Sequence, residues 1–151
     1  MRRLQASCLV LVATAALAAG GCGEGGAQSG ATVSVYVVPP LCQEARRVVD
    51  DAGRKAGDLK VRVLCLRRVE RGGRADLGMA GADARRATED SSSVAFLESP
   101  GPAAAFTRSI VENADVAWVE TSSAATPVRR ILRALEGDTS RPREAVLDEV
   151  G

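Results

Sequence analysis

Two short apolar runs, each preceded by a helical pattern, constrain the fold of this chain more than any other feature. The runs occupy residues 94–97 and 116–119, and no polar residue interrupts either of them. Continuous runs of this length are typical of strands that are buried on both faces of a parallel sheet. In the segments before them, apolar residues recur at spacings of three and four, as on one face of a helix. Alternating helices and strands predict βαβ units, and therefore an α/β fold.

The rest of the chain extends this alternation in both directions. The further elements are a strand at 33–38, a helix at 41–52, a strand at 60–66, a helix at 79–90, a helix from Pro127 to Gly137 capped by Thr126, and a last short helix capped by Ser140. Residues 67–78 are charged and glycine-rich, and their apolar residues show no helical or strand periodicity, which predicts a long exposed loop. Right-handed crossovers favour the strand order 2-1-3-4. We therefore predict a three-layer open parallel sheet of about four strands, with helices on both faces.

The first residues have the features of a bacterial export signal. Arg2 and Arg3 precede an apolar run at 8–19, and small residues stand directly before Cys22. The run is shorter than the roughly 20 residues that a membrane span requires. A Cys in this position resembles a lipobox, in which the Cys is acylated and becomes the mature N-terminus. The alternative is ordinary cleavage near Gly20, which would leave Cys22 free.

This interpretation divides the chain into four parts. They are a lipoprotein signal peptide (1–21), a flexible Gly-rich tether (22–31), a single α/β lobe (32–137) and a C-terminal helical tail (138–151). The expected location is the extracytoplasmic face of the cell membrane, where the lipid anchor would hold the lobe.

Composition argues against several functions. The chain has no His, so the usual Ser-His and Cys-His nucleophile pairs are excluded, and we predict that the protein is not an enzyme. Its 20 basic and 19 acidic residues nearly balance, and its Arg pairs are scattered over separate segments, so no nucleic-acid partner is expected. Two Cys thiols make an incomplete metal-ligand set, and neither a metal nor a cofactor is predicted.

Cys42 and Cys65 remain in the mature chain and are candidates for a disulfide. In the predicted topology Cys42 begins the helix after the first strand, and Cys65 lies near the end of the neighbouring second strand. Both would then lie at the carboxyl edge of the sheet, close enough to be bridged. An oxidising compartment favours that bond. The alternative is a pair of buried free thiols.

Ligands of open α/β sheets bind beyond the carboxyl ends of the strands, where the strand order reverses. In this chain that edge would consist of three loops, at residues 39–41, 98–101 and 121–123.

Residues 81–90, 94–103 and 114–123, taken in order, resemble the first lobe of type I periplasmic solute-binding proteins of the branched-chain amino-acid receptor type. The resemblance extends more weakly over residues 32–135 and covers one lobe of a family whose members have two. It implies an association with an ABC transporter and a small amino-acid-like solute. Enclosure of that solute would require a second lobe, from a partner protein or from a dimer.

The same resemblance implies which residues would bind the solute. Hydroxyls and backbone N–H groups at helix N-termini would contact its carboxylate, and the matching positions are Ser99, Gly101, Thr121, Ser122 and Ser123. Pro100 and Pro102 depart from the family pattern, because they remove two backbone donors. The alternative function is an interaction or structural lipoprotein that keeps the fold without binding a solute.

Overall fold

The chain forms an open α/β sandwich, seen here in a computed structural model that describes residues 30–67, 70–71 and 74–151. The strands are β1 (Thr32–Val37), β2 (Lys55–Ala56), β3 (Leu59–Cys65), β4 (Glu70–Arg71), β5 (Arg74–Ala75), β6 (Ser93–Glu98) and β7 (Ala117–Glu120). The helices are α1 (Pro39–Asp51), α2 (Leu77–Glu89), α3 (Pro102–Val111), α4 (Ala125–Gly137) and α5 (Pro142–Val150). The predicted signal peptide and most of the predicted tether lie outside the described residues.

The main sheet has the order β2-β3-β1-β6-β7, and its last four strands are parallel. These four strands are the predicted ones in the predicted order 2-1-3-4, so the fold class is confirmed. The two-residue strand β2 pairs antiparallel with the start of β3 and was not predicted, because two residues show no periodicity. Strands β4 and β5 form a separate small hairpin within residues 67–78, where the sequence predicted only a loop.

The helices cover both faces of the sheet. Helix α1 packs on β3 and α4, and α5 packs on α4, β6 and β7, so these three helices share one face. Helices α2 and α3 pack against each other and against β6 and β7 on the opposite face, as right-handed crossovers require. All six residues of β6 are buried, which confirms the inference from its uninterrupted apolar run.

Several helix boundaries differ from those predicted. Helix α2 begins at Leu77, two residues early, because the Asp76 side chain accepts a hydrogen bond from the Met79 amide at 3.1 Å. Helix α4 begins at Ala125, so Thr126 is not its N-cap. Arg141, not Ser140, precedes α5 as its N-cap.

A polar network joins β1 and β3 to the residues that precede β6. The carboxylate of Asp90 accepts hydrogen bonds from the Tyr36 hydroxyl at 2.9 Å, from the Ser92 amide at 2.9 Å and from the Ser92 hydroxyl at 2.6 Å. Arg62 lies 3.4 Å from the same carboxylate and donates to the Ser34 hydroxyl at 2.7 Å. These contacts connect three segments that are distant in sequence.

Candidate functional site at the carboxyl edge

The predicted site residues fall into two groups on neighbouring loops. Ser99 and Gly101 follow β6, whereas Thr121, Ser122 and Ser123 follow β7. The two strands pair in parallel, and the Thr121 amide donates to the Glu98 carbonyl at 2.9 Å. The fold therefore brings all five residues to one edge of the sheet.

The loop after β7 is held by its own hydrogen bonds. The hydroxyl of Thr121 donates to the Ser123 carbonyl at 2.7 Å and accepts from the Ser123 amide at 3.2 Å. The Ser123 hydroxyl bonds to Glu44 at 3.0 Å. Ser122 is exposed, and no described group contacts its hydroxyl. Two of the three hydroxyls in this loop are thus engaged within the protein.

Glu44, on α1, is the residue at this edge that the sequence did not indicate. One oxygen of its carboxylate accepts from the Ser123 hydroxyl, and the other accepts from the Ala124 amide at 2.6 Å. Ala124 is the N-cap of α4, and a helix N-terminus attracts anions because its N–H groups are unpaired and its dipole is positive there. Glu44 therefore occupies the position at which a solute carboxylate would be expected to bind.

In the loop after β6, a predicted backbone donor is already engaged within the protein. The Ser99 amide donates to the Glu98 carboxylate at 3.1 Å, and this fully buried carboxylate also accepts from the Thr107 hydroxyl at 3.0 Å. Gly101 has φ 154°, a conformation that residues with a side chain rarely adopt. Its role in the structure is to allow the turn into α3.

Prolines reduce the backbone donors at all three helix N-termini of this edge. Helix α1 begins with Pro39 and Pro40, and α3 begins with Pro102. Proline has no N–H group, so these first turns have fewer donors to offer an anion. Helix α4 also has a proline in its first turn, Pro127 at its third position, and Glu44 accepts a hydrogen bond from the amide of its N-cap, Ala124.

A disulfide links α1 to the end of β3 at this edge of the sheet. Cys42 in α1 and Cys65 at the end of β3 are joined, with Cα atoms 5.6 Å apart, which is the spacing that bridged cysteines adopt. Cys42 is buried and Cys65 is half-buried. The bond fixes the first turns of α1, and with them Glu44, against the sheet.

Among the described residues, no cluster of three or more side chains is suited to ligate a metal ion. None of the helices within residues 30–67, 70–71 and 74–151 is long and apolar enough to cross a membrane.

No protein-family model, curated protein or solved structure matches the chain. The resemblance to a solute-binding lobe therefore remains a prediction from the sequence.

Proposed function

We propose that this protein is a lipid-anchored extracytoplasmic lobe that works by binding a partner protein, not by enclosing a solute. The observation that carries this proposal is the contact of the Glu44 carboxylate with the Ala124 amide at 2.6 Å and with the Ser123 hydroxyl at 3.0 Å. An internal carboxylate takes the place that the solute-binding function would reserve for the carboxylate of its ligand.

The shape of a single lobe supports the same proposal. A tight small-molecule site encloses about 70–90% of the ligand surface. This edge is an open shelf, and its contacts with a solute would face water. Each net hydrogen bond there would contribute only about 0.5–1.5 kcal/mol, which does not offset the several kcal/mol that association costs.

The competing function is a transporter-associated component that binds an amino-acid-like solute. It would use Thr121, Ser122 and Ser123, which do lie together at the carboxyl edge. It would also require that Glu44 leave the N-terminus of α4 and that a second lobe cover the shelf. Measurements of carboxylate binding separate the two functions.

Lipid attachment at Cys22 is the first testable part of the proposal. We expect Cys22→Ala to move the protein from the membrane fraction to the soluble fraction, since two or more acyl chains anchor stably and their loss removes the anchor. Fractionation with mass spectrometry of the mature N-terminus measures this. An unchanged membrane fraction, with no mass difference beyond the substitution, would rule out the anchor.

The role of Glu44 is tested by thermal unfolding of the full chain in the presence of small carboxylates such as acetate and glycine. We expect no shift of the unfolding midpoint for the wild type. Glu44→Ala is expected to start at a lower midpoint and to be stabilised by these ions, because the Ala124 amide becomes available to them. Gln43→Ala is the matched control, since Gln43 is the exposed neighbour of Glu44 and forms no described side-chain contact. Stabilisation of the wild type by the same ions would contradict the proposal.

A further inference from the structure

The outer edge of β3 is only partly covered. Strand β2 pairs with Leu59 and Lys60, and the next amide, that of Val61, donates to the Arg54 carbonyl at 2.9 Å. Beyond that point no element in the described part of the chain pairs with this edge. Within the described residues, therefore, the short strand β2 leaves the second half of β3 without a neighbouring strand on this side.

The second half of β3 has backbone groups with no partner among the described residues. The Lys60 amide donates to the carbonyl of Ala31, just before β1, and the Leu66 amide donates to the carbonyl of Val37 in β1, so the even-numbered residues direct their backbone groups inward. Because this direction alternates along a strand, the N–H and C=O groups of Val63 and Cys65 point outward. Within the described residues, no group bonds to them. Such an edge is a template onto which another strand can add.

A groove of about 450 Å³ runs beside this edge, between β3 and α1. Its walls are Arg46, Val49, Asp50 and Arg54 on the α1 side and residues 61–63 on the strand side. Val49 and Val61 are almost fully buried and make its floor apolar. Side chains of an added strand that point toward α1 would enter this groove.

The charges around the groove favour an acidic occupant. Two of the residues that line it on the α1 side, Arg46 and Arg54, carry guanidinium groups, and one, Asp50, carries a carboxylate. The Arg62 guanidinium is engaged elsewhere, with Ser34 and Asp90. Arg54 is paired with Asp50 at 2.6 Å, whereas Arg46 is exposed and has no partner among the described residues. Two copies of this edge would bring like charges together, which disfavours pairing with a second copy of the chain.

We propose that the outer edge of β3 binds an extended acidic segment of a partner protein by strand addition. The backbone of the segment would pair with Val63 and Cys65, and its acidic side chains would lie against Arg46 and Arg54. This inference rests on the interaction function proposed above and assigns it a surface and a class of partner.

The probe for this site is a fluorescently labelled peptide of alternating Glu and Val, titrated with the full chain in detergent and followed by anisotropy. We expect saturable binding of this peptide and at least about tenfold weaker binding when the amides that face the protein are N-methylated. A peptide of alternating Lys and Val is expected not to bind. Equal binding of the acidic and basic peptides would overturn the proposal.

Two variants of α1 form a matched pair. Arg46→Glu is expected to weaken binding of the acidic peptide by about fivefold, because a rim charge changes sign. Arg47→Glu alters the next residue, which is also exposed but does not line the groove, and it is expected to leave the affinity unchanged. Equal effects of the two variants would overturn the assignment to this groove. The assignment would also be overturned if sedimentation showed a dimer that Arg46→Glu makes more stable, since the edge would then bind a second copy of the chain.

Failure of this site and failure of the proposed function give different results. If the peptide does not bind and small carboxylates do not bind either, the β3 edge is the wrong surface and the interaction function stands. If an amino acid binds tightly to the wild type, the proposed interaction function is wrong, whether or not the acidic peptide binds.

Discussion

Reduction of the Cys42–Cys65 disulfide is expected to lower the free energy of unfolding by about 3 kcal/mol. The bond joins residues 23 positions apart, and in the chain-entropy model a loop of this size restricts the unfolded chain by about that amount. The fold itself should survive, because the core under α1 consists of apolar contacts that do not need the bond.

Denaturant unfolding of the full chain, with and without reductant, measures this loss. The double variant Cys42→Ala, Cys65→Ala controls for other effects of the reductant and is expected to match the reduced protein. An unfolding midpoint that does not respond to reductant, or two reactive thiols in the denatured unreduced protein, would show that the bond is absent.

Replacing Asp90 by Ala is expected to cost about 3 kcal/mol of unfolding free energy. Its carboxylate, with a side chain 20% exposed, accepts hydrogen bonds from Tyr36 and Ser92 and pairs with Arg62. Hydrogen bonds to a charged, largely buried group are among the stronger ones in proteins, and their loss also leaves the Tyr36 hydroxyl without its acceptor.

Asp50→Ala is the matched control for this variant. Asp50 also pairs with an Arg, but its side chain is 50% exposed and its partner Arg54 is 74% exposed. Exposed pairs of this kind contribute little. Equal losses of stability in the two variants would contradict a structural role for the Asp90 network.

The same network predicts how stability depends on pH. Burial raises the pKa of Asp90, but the hydrogen bonds from Ser92 and Tyr36 and the charge of Arg62 outweigh burial and hold that pKa below its ordinary value. The contribution of Asp90 is therefore fully present above the unfolded pKa of about 3.9 and is lost as the pH falls through the lower folded pKa. Asp90→Ala should accordingly show a smaller loss of stability on acidification than the wild type.

At alkaline pH, the ionisation of Tyr36 is expected to lower the stability of the fold. Burial, with the hydrogen bond to Asp90 and the charge of Asp90, raises the pKa of Tyr36 to about 12. Its contribution is present below the unfolded pKa of about 10 and is lost as the pH rises toward the folded value.

The elements that could be predicted from the sequence are those with a local signal. Residues 94–97 are uninterrupted and apolar because β6 is buried on both faces, and the helical stripe from Leu41 to Val49 is visible because α1 packs one face on the sheet. The carboxyl edge could be located from the strand order alone. Strand β2 could not be predicted, since a strand of two residues is too short to show an alternating apolar pattern.

The contacts that decide the properties of the edge have no local signal. Glu44 and Ala124 are 80 positions apart, and nothing near Glu44 indicates that it caps α4. The same contact explains the wrong start predicted for α4. Thr126 followed by Pro127 has the local pattern of a helix start, but Glu44 from another helix binds the amide of Ala124, and α4 begins two residues earlier than predicted.

The most direct test of the central claim is a calorimetric titration of the full chain, shown to be monomeric by sedimentation, with amino acids and small carboxylates. If Glu44 fills the N-terminus of α4 and no second lobe covers the shelf, each compound should bind in the high-micromolar range or not at all. A sub-micromolar dissociation constant for an amino acid, measured on the monomer, would contradict the account and restore the function of a solute receptor.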